Sequence, residues 1–435
     1  LAVPAFLQRQ MVGKDTGFCS RYYAFVVMEN LLTHLNRQGK LVMVVPKRFG
    51  YAGGGVKKLR EKVISQYGVE LLADLPHSML MGTAIQTMLV ALTADKQRKT
   101  ALRVYDVAEG YIVNNLEAVM KVSIIGAGAV GVGICNYLLS LGDCRELVVV
   151  DLNRERSEGE QMDFSHVSAL SFAKNTRIIA GDYPDIAGSE VVVVTAGAQI
   201  KKGQDRLELA AVNAPIAVDI AKKIHRYAPG AVVIVVTNPC DVLSYFIIAN
   251  TGLTPQQVIS AGCVIDSARL MKIIAERVGL DPKNIFGMVW GEHGANSVIP
   301  WSAVQVAGQS LDDYCAANGL PLFDKEELLA QTKQAGLEIF NRKMNTNHGI
   351  AGSVFRIIRA IGINEYSVLP VGILLQGEYG LHDVVLNVPA VISSRGVERI
   401  VNYRLPADEL AAVQKSAQNL RQVIEQVAKE TGLMK

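Results

Sequence analysis

The chain predicts an α/β protein built on a doubly wound parallel sheet, with an α+β part after it and a shorter α/β fragment before it. Three observations carry that prediction. Short apolar runs at residues 122–125, 147–150, 191–194 and 232–236 alternate with segments of helix length, the pattern of buried parallel strands joined by right-handed crossovers. A glycine-rich turn directly follows the first run. Beyond about residue 262 the alternation becomes irregular, with helices expected at 267–278, 325–340, 350–361 and 407–428 and strands at 368–375 and 384–388.

Composition sets the outer limits. With 435 residues, half of them apolar and 20% charged, the chain exceeds one ordinary core and is not largely disordered. No apolar run approaches the roughly 20 residues that span a bilayer, so no membrane segment is expected. The first ten residues lack a basic start followed by an apolar stretch, which argues against a secretory signal. Cys19, Cys135, Cys144, Cys240, Cys263 and Cys315 are scattered without C-x-x-C spacing, so neither disulfides nor a metal site is expected and a cytoplasmic location fits.

In the front segment, residues 22–35 and 56–65 read as helices and 40–45, 71–75 and 84–92 as strands. Residues 1–120 carry 15 Lys and Arg against 9 Asp and Glu, an excess of +6, while the remainder carries −3. At Met120 the text changes: Met120-Lys121-Val122-Ser123-Ile124-Ile125 reads like the opening of an independent protein, and a fusion or an extended reading frame is expected. The expected division is therefore 1–119, 120–262 and 263–435.

Gly126-Ala127-Gly128-Ala129-Val130-Gly131 leaves the first strand and opens a helix, and Asp151 stands 20 residues past the last glycine, at the end of the second strand. Gly126 permits a tight turn, Gly128 lets a pyrophosphate approach the backbone, and Gly131 lets helix and strand pack closely. The helix N-terminus favours phosphate charge. Together these features predict a Rossmann-type dinucleotide site. A carboxylate at Asp151 would accept from the adenine ribose hydroxyls and repel a 2′-phosphate, so NAD is expected rather than NADP.

Gly291-Glu292-His293-Gly294 sets a histidine between small residues, where a ligand could approach. Alone, it reads more readily as a buried, hydrogen-bonded core histidine. Asp266-Ser267-Ala268-Arg269 changes its weight, since an acid and a guanidinium three apart at the head of a predicted helix project from one face. Asn238, in Thr237-Asn238-Pro239, ends another strand, where open α/β sheets place ligands. These signals converge on one cleft.

With those stretches, and with Thr195-Ala196-Gly197-Ala198 and Gly203-Gln204-Asp205-Arg206 in the same order, residues 120–435 resemble the L-lactate/malate dehydrogenase family, most closely its lactate branch. The resemblance implies an NAD-dependent L-2-hydroxyacid dehydrogenase, a homodimer or homotetramer that needs no metal. It assigns Gly126, Gly128, Val130, Gly131, Asp151, Thr195, Ala196 and Gly197 to the cofactor. It makes His293 the general acid/base and Asp266 the partner of its other ring nitrogen, a carboxylate that fixes the tautomer and favours imidazolium. Arg269 clamps the substrate carboxylate with its planar fork. Arg206 polarises the carbonyl from a closing loop, Asn238 hydrogen-bonds the reacting oxygen, and Thr346 lines the pocket.

The family's substrate-deciding position, six residues before the loop arginine, is Ile200 here, where lactate enzymes usually have Gln and malate enzymes Arg. A second carboxylate would enter unpaired, at a cost of several kcal/mol. The expected substrate is pyruvate or a longer apolar analogue such as 2-oxoisocaproate. Malate is the alternative, since Lys201 or Lys202 could reach a second carboxylate.

Residues 17–106 resemble the C-terminal half of adenine-specific DNA methyltransferases, through Tyr23-Ala24-Phe25, the run 39–46, Leu59-Arg60 and Leu75-Pro76. The glycine-rich methyl-donor loop and the Asn-Pro-Pro-aromatic motif are absent from the sequence, so methyl transfer is not expected. The segment reads as part of a doubly wound sheet with exposed edges. Its basic excess makes nucleic-acid binding the alternative from a different class; the principal reading has no nucleic-acid partner.

Overall fold

The computed structural model describes residues 120–141, 144–167, 169–170, 176–199 and 206–434. Nearer the start it describes Glu61, Val63 and four strands: β1 (Lys40–Pro46), β2 (Gly68–Leu75), β3 (Thr87–Thr93) and β4 (Arg103–Asp106). The chain forms two compact units, Leu1–Asn114 and Asn115–Lys435.

In the first unit β3 is central and antiparallel to both β1 and β2, while β4 runs parallel to β2. Val90 and Leu92, two apart on β3, share a buried face. Two of the three pairings are antiparallel, so the described strands make a mixed sheet. β4 escaped the sequence reading because Arg103-Val104-Tyr105-Asp106 offers no apolar run. The helix expected at 22–35 lies outside the described residues, as does that at 56–65 apart from helical Glu61 and Val63.

The second unit is built on β5 (Met120–Ile125), β6 (Cys144–Val150), β7 (Arg177–Ala180), β8 (Val191–Val194), β9 (Val232–Val235) and β10 (Val258–Ser260). They run parallel in the order β7-β6-β5-β8-β9-β10. Their Val- and Ile-rich sequences suit burial on both faces, and no residue of β8 or β9 is more than 1% exposed. Helices α1 (Ala129–Leu141), α2 (Arg154–Val167), α3 (Arg206–Tyr227) and α4 (Cys240–Asn250) lie between successive strands. The strand order reverses at β5, where Ile125 is in register with Val150 on one side and Val194 on the other. Gly126, Asp151 and Thr195 therefore leave the sheet side by side at its carboxyl edge, where such sheets bind ligands.

After β10 comes α5 (Gly262–Val278), then the short strands β11 (Ile285–Phe286), β12 (Trp290–Gly291), β13 (Ser297–Val298), β14 (Gln305–Val306) and β15 (Gln309–Ser310). Helices α6 (Leu311–Ala317), α7 (Lys325–Lys343) and α8 (His348–Gly362) precede a long hairpin, β16 (Ser367–Gln376) and β17 (His382–Ser393), followed by β18 (Gly396–Ile400) and α9 (Ala407–Thr431). Ser260 of β10 pairs with Gly372 of β16, and Gly291 of β12 with Asn387 of β17, so the hairpin continues the sheet of the parallel strands. α8 crosses α1 closely: Tyr137 and Phe355 stack at 5.7 Å, and a β-carbon on Gly133 would lie 3.0 Å from that of Ala351.

One boundary changes the local picture. α5 begins at Gly262, five residues before the expected start at 267; Ala261 supplies no side-chain cap, so the usual start signal is missing from the sequence. Asp266 and Arg269 thus stand inside the helix rather than at its head.

Candidate active site

The glycine turn is shaped by close approach. Gly126 has φ +113° and donates to the Val150 carbonyl at 2.7 Å; a β-carbon there would meet Thr195 Oγ1 at 2.7 Å. On Gly131 it would fall 2.0 Å from the Gly126 carbonyl oxygen, so only glycine lets α1 start against the turn. Gly128 differs, having open space where a side chain would stand. Val132 N–H makes the bond to Gly128 O, and the N–H groups of the first turn before it have no intrahelical acceptor. An open glycine beside free helix-start donors fits a pyrophosphate.

Asp151 does more than the sequence reading gave it. Its Oδ2 accepts from Ala127 N at 2.7 Å and its Oδ1 from Asn153 N at 2.9 Å, so it holds the glycine turn in place while lone pairs remain for ribose hydroxyls. Thr195 Oγ1 donates to Gly126 O at 2.9 Å, and Thr237 Oγ1 donates to Ala196 O at 2.8 Å. Gly197 packs against Thr237, whose Cγ2 would be 2.3 Å from an added β-carbon.

A cavity of about 540 Å³ runs from this turn to the second half of the unit. Gly128, Val130, Gly131, Thr195, Gly197, Asn238, Arg269, His293 and Thr346 all line it. Asp266, only 6% exposed, stands behind the wall with both oxygens engaged. Its Oδ2 lies 2.7 Å from His293 Nδ1, and its Oδ1 accepts from Arg269 NH1 at 2.8 Å. Burial pushes this carboxyl up, but the charge and hydrogen bond of His293, and then those of Arg269, outweigh it and hold it below the ordinary carboxylate value. Gly336 of α7 backs the guanidinium, leaving 3.1 Å between an added β-carbon and NH1 or NH2.

The structure thus brings His293, Asp266, Arg269, Asn238 and Thr346 to one cleft with the glycine turn. Ile200 lies outside the described residues; Arg206 opens α3, and its side chain is likewise outside them.

Several residues of the site escaped the sequence reading. Asn213, 1% exposed on α3, accepts from Ala198 N at 2.8 Å and donates to Ala198 O at 3.1 Å and Asn238 O at 2.8 Å, tying the turn after β8 to the strand end that carries Asn238. Phe340 and Met344, at the end of α7, add apolar surface to the cavity wall. Only the three-dimensional meeting of α3 and α7 with the cleft marks them. Among the described residues no group of His, Cys, Asp and Glu is placed to hold a metal ion, and no helix is long and apolar enough to cross a membrane.

Fold and cleft together define an oxidoreductase with a dinucleotide-binding half. Residues 120–260 match the family description "lactate/malate dehydrogenase, NAD binding domain", and residues 263–431 match "lactate/malate dehydrogenase, alpha/beta C-terminal domain". The chain belongs to the lactate/malate dehydrogenase family, an enzyme of 2-hydroxy acids whose cofactor is NAD. It is 38% identical over 309 residues, 70% of this chain and 96% of the relative, to L-lactate dehydrogenase 2 of Clostridium acetobutylicum. The minor L-lactate dehydrogenase from Enterococcus mundtii matches at a TM-score of 0.68 and 33% identity, covering 72% of this chain and 99% of that one. The malate dehydrogenase from Aeropyrum pernix matches at 0.65 and 31%, covering 70% and 97%. Residues 18–123 match the description "N-6 DNA Methylase", in line with the resemblance noted for the front segment.

Proposed function

We propose that the chain interconverts an L-2-hydroxy acid and a 2-oxo monocarboxylic acid, pyruvate or a longer apolar analogue such as 2-oxoisocaproate, with NAD. One observation supports this above all: Asp266 bonds His293 and Arg269 at once, and both side chains line the cavity that starts at the glycine turn. Bound NADH supplies the hydride. His293, with Nδ1 turned to Asp266, acts through Nε2 on the substrate oxygen, giving it a proton on reduction and taking it back in reverse. An ionised Asp266 beside the ring favours imidazolium, which keeps that proton available near neutral pH. Arg269 commits NH1 to Asp266 and retains the rest of its fork for the substrate carboxylate. Asn238 hydrogen-bonds the reacting oxygen, Thr346 bounds the pocket, and Arg206 polarises the carbonyl.

Ile200 sets the tail preference in this reading. The apolar Ile265, Phe340 and Met344 on the cavity wall support it, at about 0.8 kcal/mol for each methylene buried. The likeness to a malate dehydrogenase favours a dicarboxylic substrate as a second reading. The purified full chain, assayed by NADH oxidation with pyruvate, 2-oxoisocaproate and oxaloacetate, decides between them: preference for oxaloacetate overturns the role given to Ile200, and no turnover of any overturns the dehydrogenase reading.

A homodimer or homotetramer belongs to this reading and is measured by light scattering. A reducing, cytoplasmic setting is supported by Cys135, Cys144, Cys240, Cys263 and Cys315, which are buried free thiols. The match of residues 18–123 supports DNA contact by the basic front segment as a separate activity. Salt-sensitive binding of duplex DNA by the full chain tests it, and no binding at low salt removes it.

A further inference from the structure

A second cavity, of about 370 Å³, lies against the loop that carries His293, and the proposed reaction does not use it. Residues 295–299 form one wall, Leu329 and Lys333 of α7 another, and the first half of α9, from Asp408 to Asn419, a third. Its size is that of a site for a small ligand. Val298, Ile299, Trp301 and Leu329 give it an apolar side. Lys333 gives it a charge: the side chain is partly buried, and among the described residues its ammonium makes no hydrogen bond or ion pair. Burial pushes this group down, against the pull of Glu292. The acids of the cavity do not satisfy it. Glu409 is engaged by Ser302, accepting from its N–H at 2.9 Å and from its hydroxyl, and Asp408 is exposed. Lys415, exposed at the rim, adds a second cation. A partly desolvated ammonium with three donors, beside an apolar wall, suits a carboxylate carried on a short apolar body.

The walls of this cavity also hold the loop of the histidine. Ser416, 2% exposed on α9, accepts from Glu292 N at 2.9 Å, and Asn296 Nδ2 donates to Glu292 Oε2 at 2.5 Å. Gly291, with φ +85°, is fitted against the same hydroxyl, since a β-carbon on it would stand 2.6 Å from Ser416 Oγ. Two residues that line the second cavity therefore fix the two residues that precede His293, while His293 itself lines the first. We propose that the second cavity is an effector site for a small carboxylate with an apolar tail, and that its occupation is felt at His293 through Ser416, Asn296 and Glu292. The carboxylate meets Lys333 and draws it from Glu292, and the tail lies on Trp301 and Leu329. The binding site stands apart from the dehydrogenase reading; only its effect on turnover rests on that reading.

The probe is 4-methylpentanoate, which has the tail of 2-oxoisocaproate and no carbonyl to reduce. Calorimetric titration uses the full chain carrying Arg269→Ala, which silences the first cavity. Binding should remain, and adding Lys333→Gln should weaken it about tenfold or more, the loss of a charge-assisted bond. Acetate, which lacks the tail, should bind at least about tenfold more weakly than the probe. Tryptophan fluorescence should respond to the probe and cease to do so in Trp301→Phe, because Trp290 is buried. No binding to Arg269→Ala, or an affinity that Lys333→Gln leaves unmoved, overturns the site. Should Arg269→Ala fail to fold, the otherwise unaltered chain is titrated, and Ala412→Phe, which fills the second cavity, should remove one of two sites; an unchanged count overturns the proposal. In turnover at saturating 2-oxo acid, where competition at the first cavity is overcome, the probe should lower kcat about fivefold, and the effect should vanish in Lys333→Gln. A kcat that the probe does not move overturns the coupling to His293. Binding that depends on Lys333 in a chain that reduces no 2-oxo acid would uphold the site and sink the dehydrogenase reading, while turnover without such binding would do the reverse.

Discussion

Gly262 stands so close to His293 that a β-carbon on the glycine would lie 2.3 Å from the β-carbon of the histidine and 2.6 Å from its Cγ. The first residue of α5 is therefore fitted to the side chain that the proposed chemistry turns on. Gly262→Ala should displace His293 from Asp266 and leave the glycine turn at β5 untouched. The expected result is a loss in kcat of about a hundredfold, since small misplacements of a reacting group cost that much. NADH affinity, followed by fluorescence, should stay within about twofold of the original, about 0.4 kcal/mol.

Asp266→Asn tests the ion-pair logic through stability as well as activity. The carboxyl is held below its ordinary value, so its contribution is present in full above about pH 4 and is lost as the pH falls through the lowered value. At neutral pH the variant should be about 3 kcal/mol less stable, because Arg269 and His293 lose a buried anion. Denaturant titrations at a series of pH values should show the two proteins converging in acid, and a constant gap would contradict the assignment.

Arg269→Lys replaces a planar fork with a point charge. One of two charge-assisted bonds to the substrate carboxylate is lost, and the bond to Asp266 loses its fixed direction. KM for the 2-oxo acid should rise about ten- to a hundredfold, and NADH binding should not change. Steady-state kinetics with either substrate varied separates the two.

Asn213→Ala removes three hydrogen bonds at once, those that tie Ala198 and Asn238 to α3. A loss of about 2 kcal/mol is expected, which lowers Tm by about 3 °C in the full chain by calorimetry. Asn213→Asp restores the acceptor but not the donor and should recover only part of it.

The sequence announces the first half of the cleft because its signals are local. Gly126, Gly128, Gly131 and Asp151 sit within 26 residues, and strand register carries their spacing straight into space. Four buried valines at 191–194 can only be an interior strand. The family match of residues 120–431 agrees with the resemblance drawn from those motifs. What could not be read is what closes over distance. Glu292 and Ser416 are 124 residues apart, and nothing near either one names the other. The short strands Arg177–Ala180 and Val258–Ser260 carry too few residues for alternation to register. The early start of α5 was hidden because Gly262, a poor helix former, is there to spare the histidine rather than to favour the helix.

The antiparallel join at Ser260 and Gly372 has a mechanical consequence. It stitches the strand that leads into α5 to the hairpin that carries Asn387, while the same sheet reaches back to the glycine turn. The two banks of the cleft are thus woven into one fabric and cannot swing apart like a jaw. Whatever shields a reacting molecule from water must come from the rim, and the floor beneath it stays still.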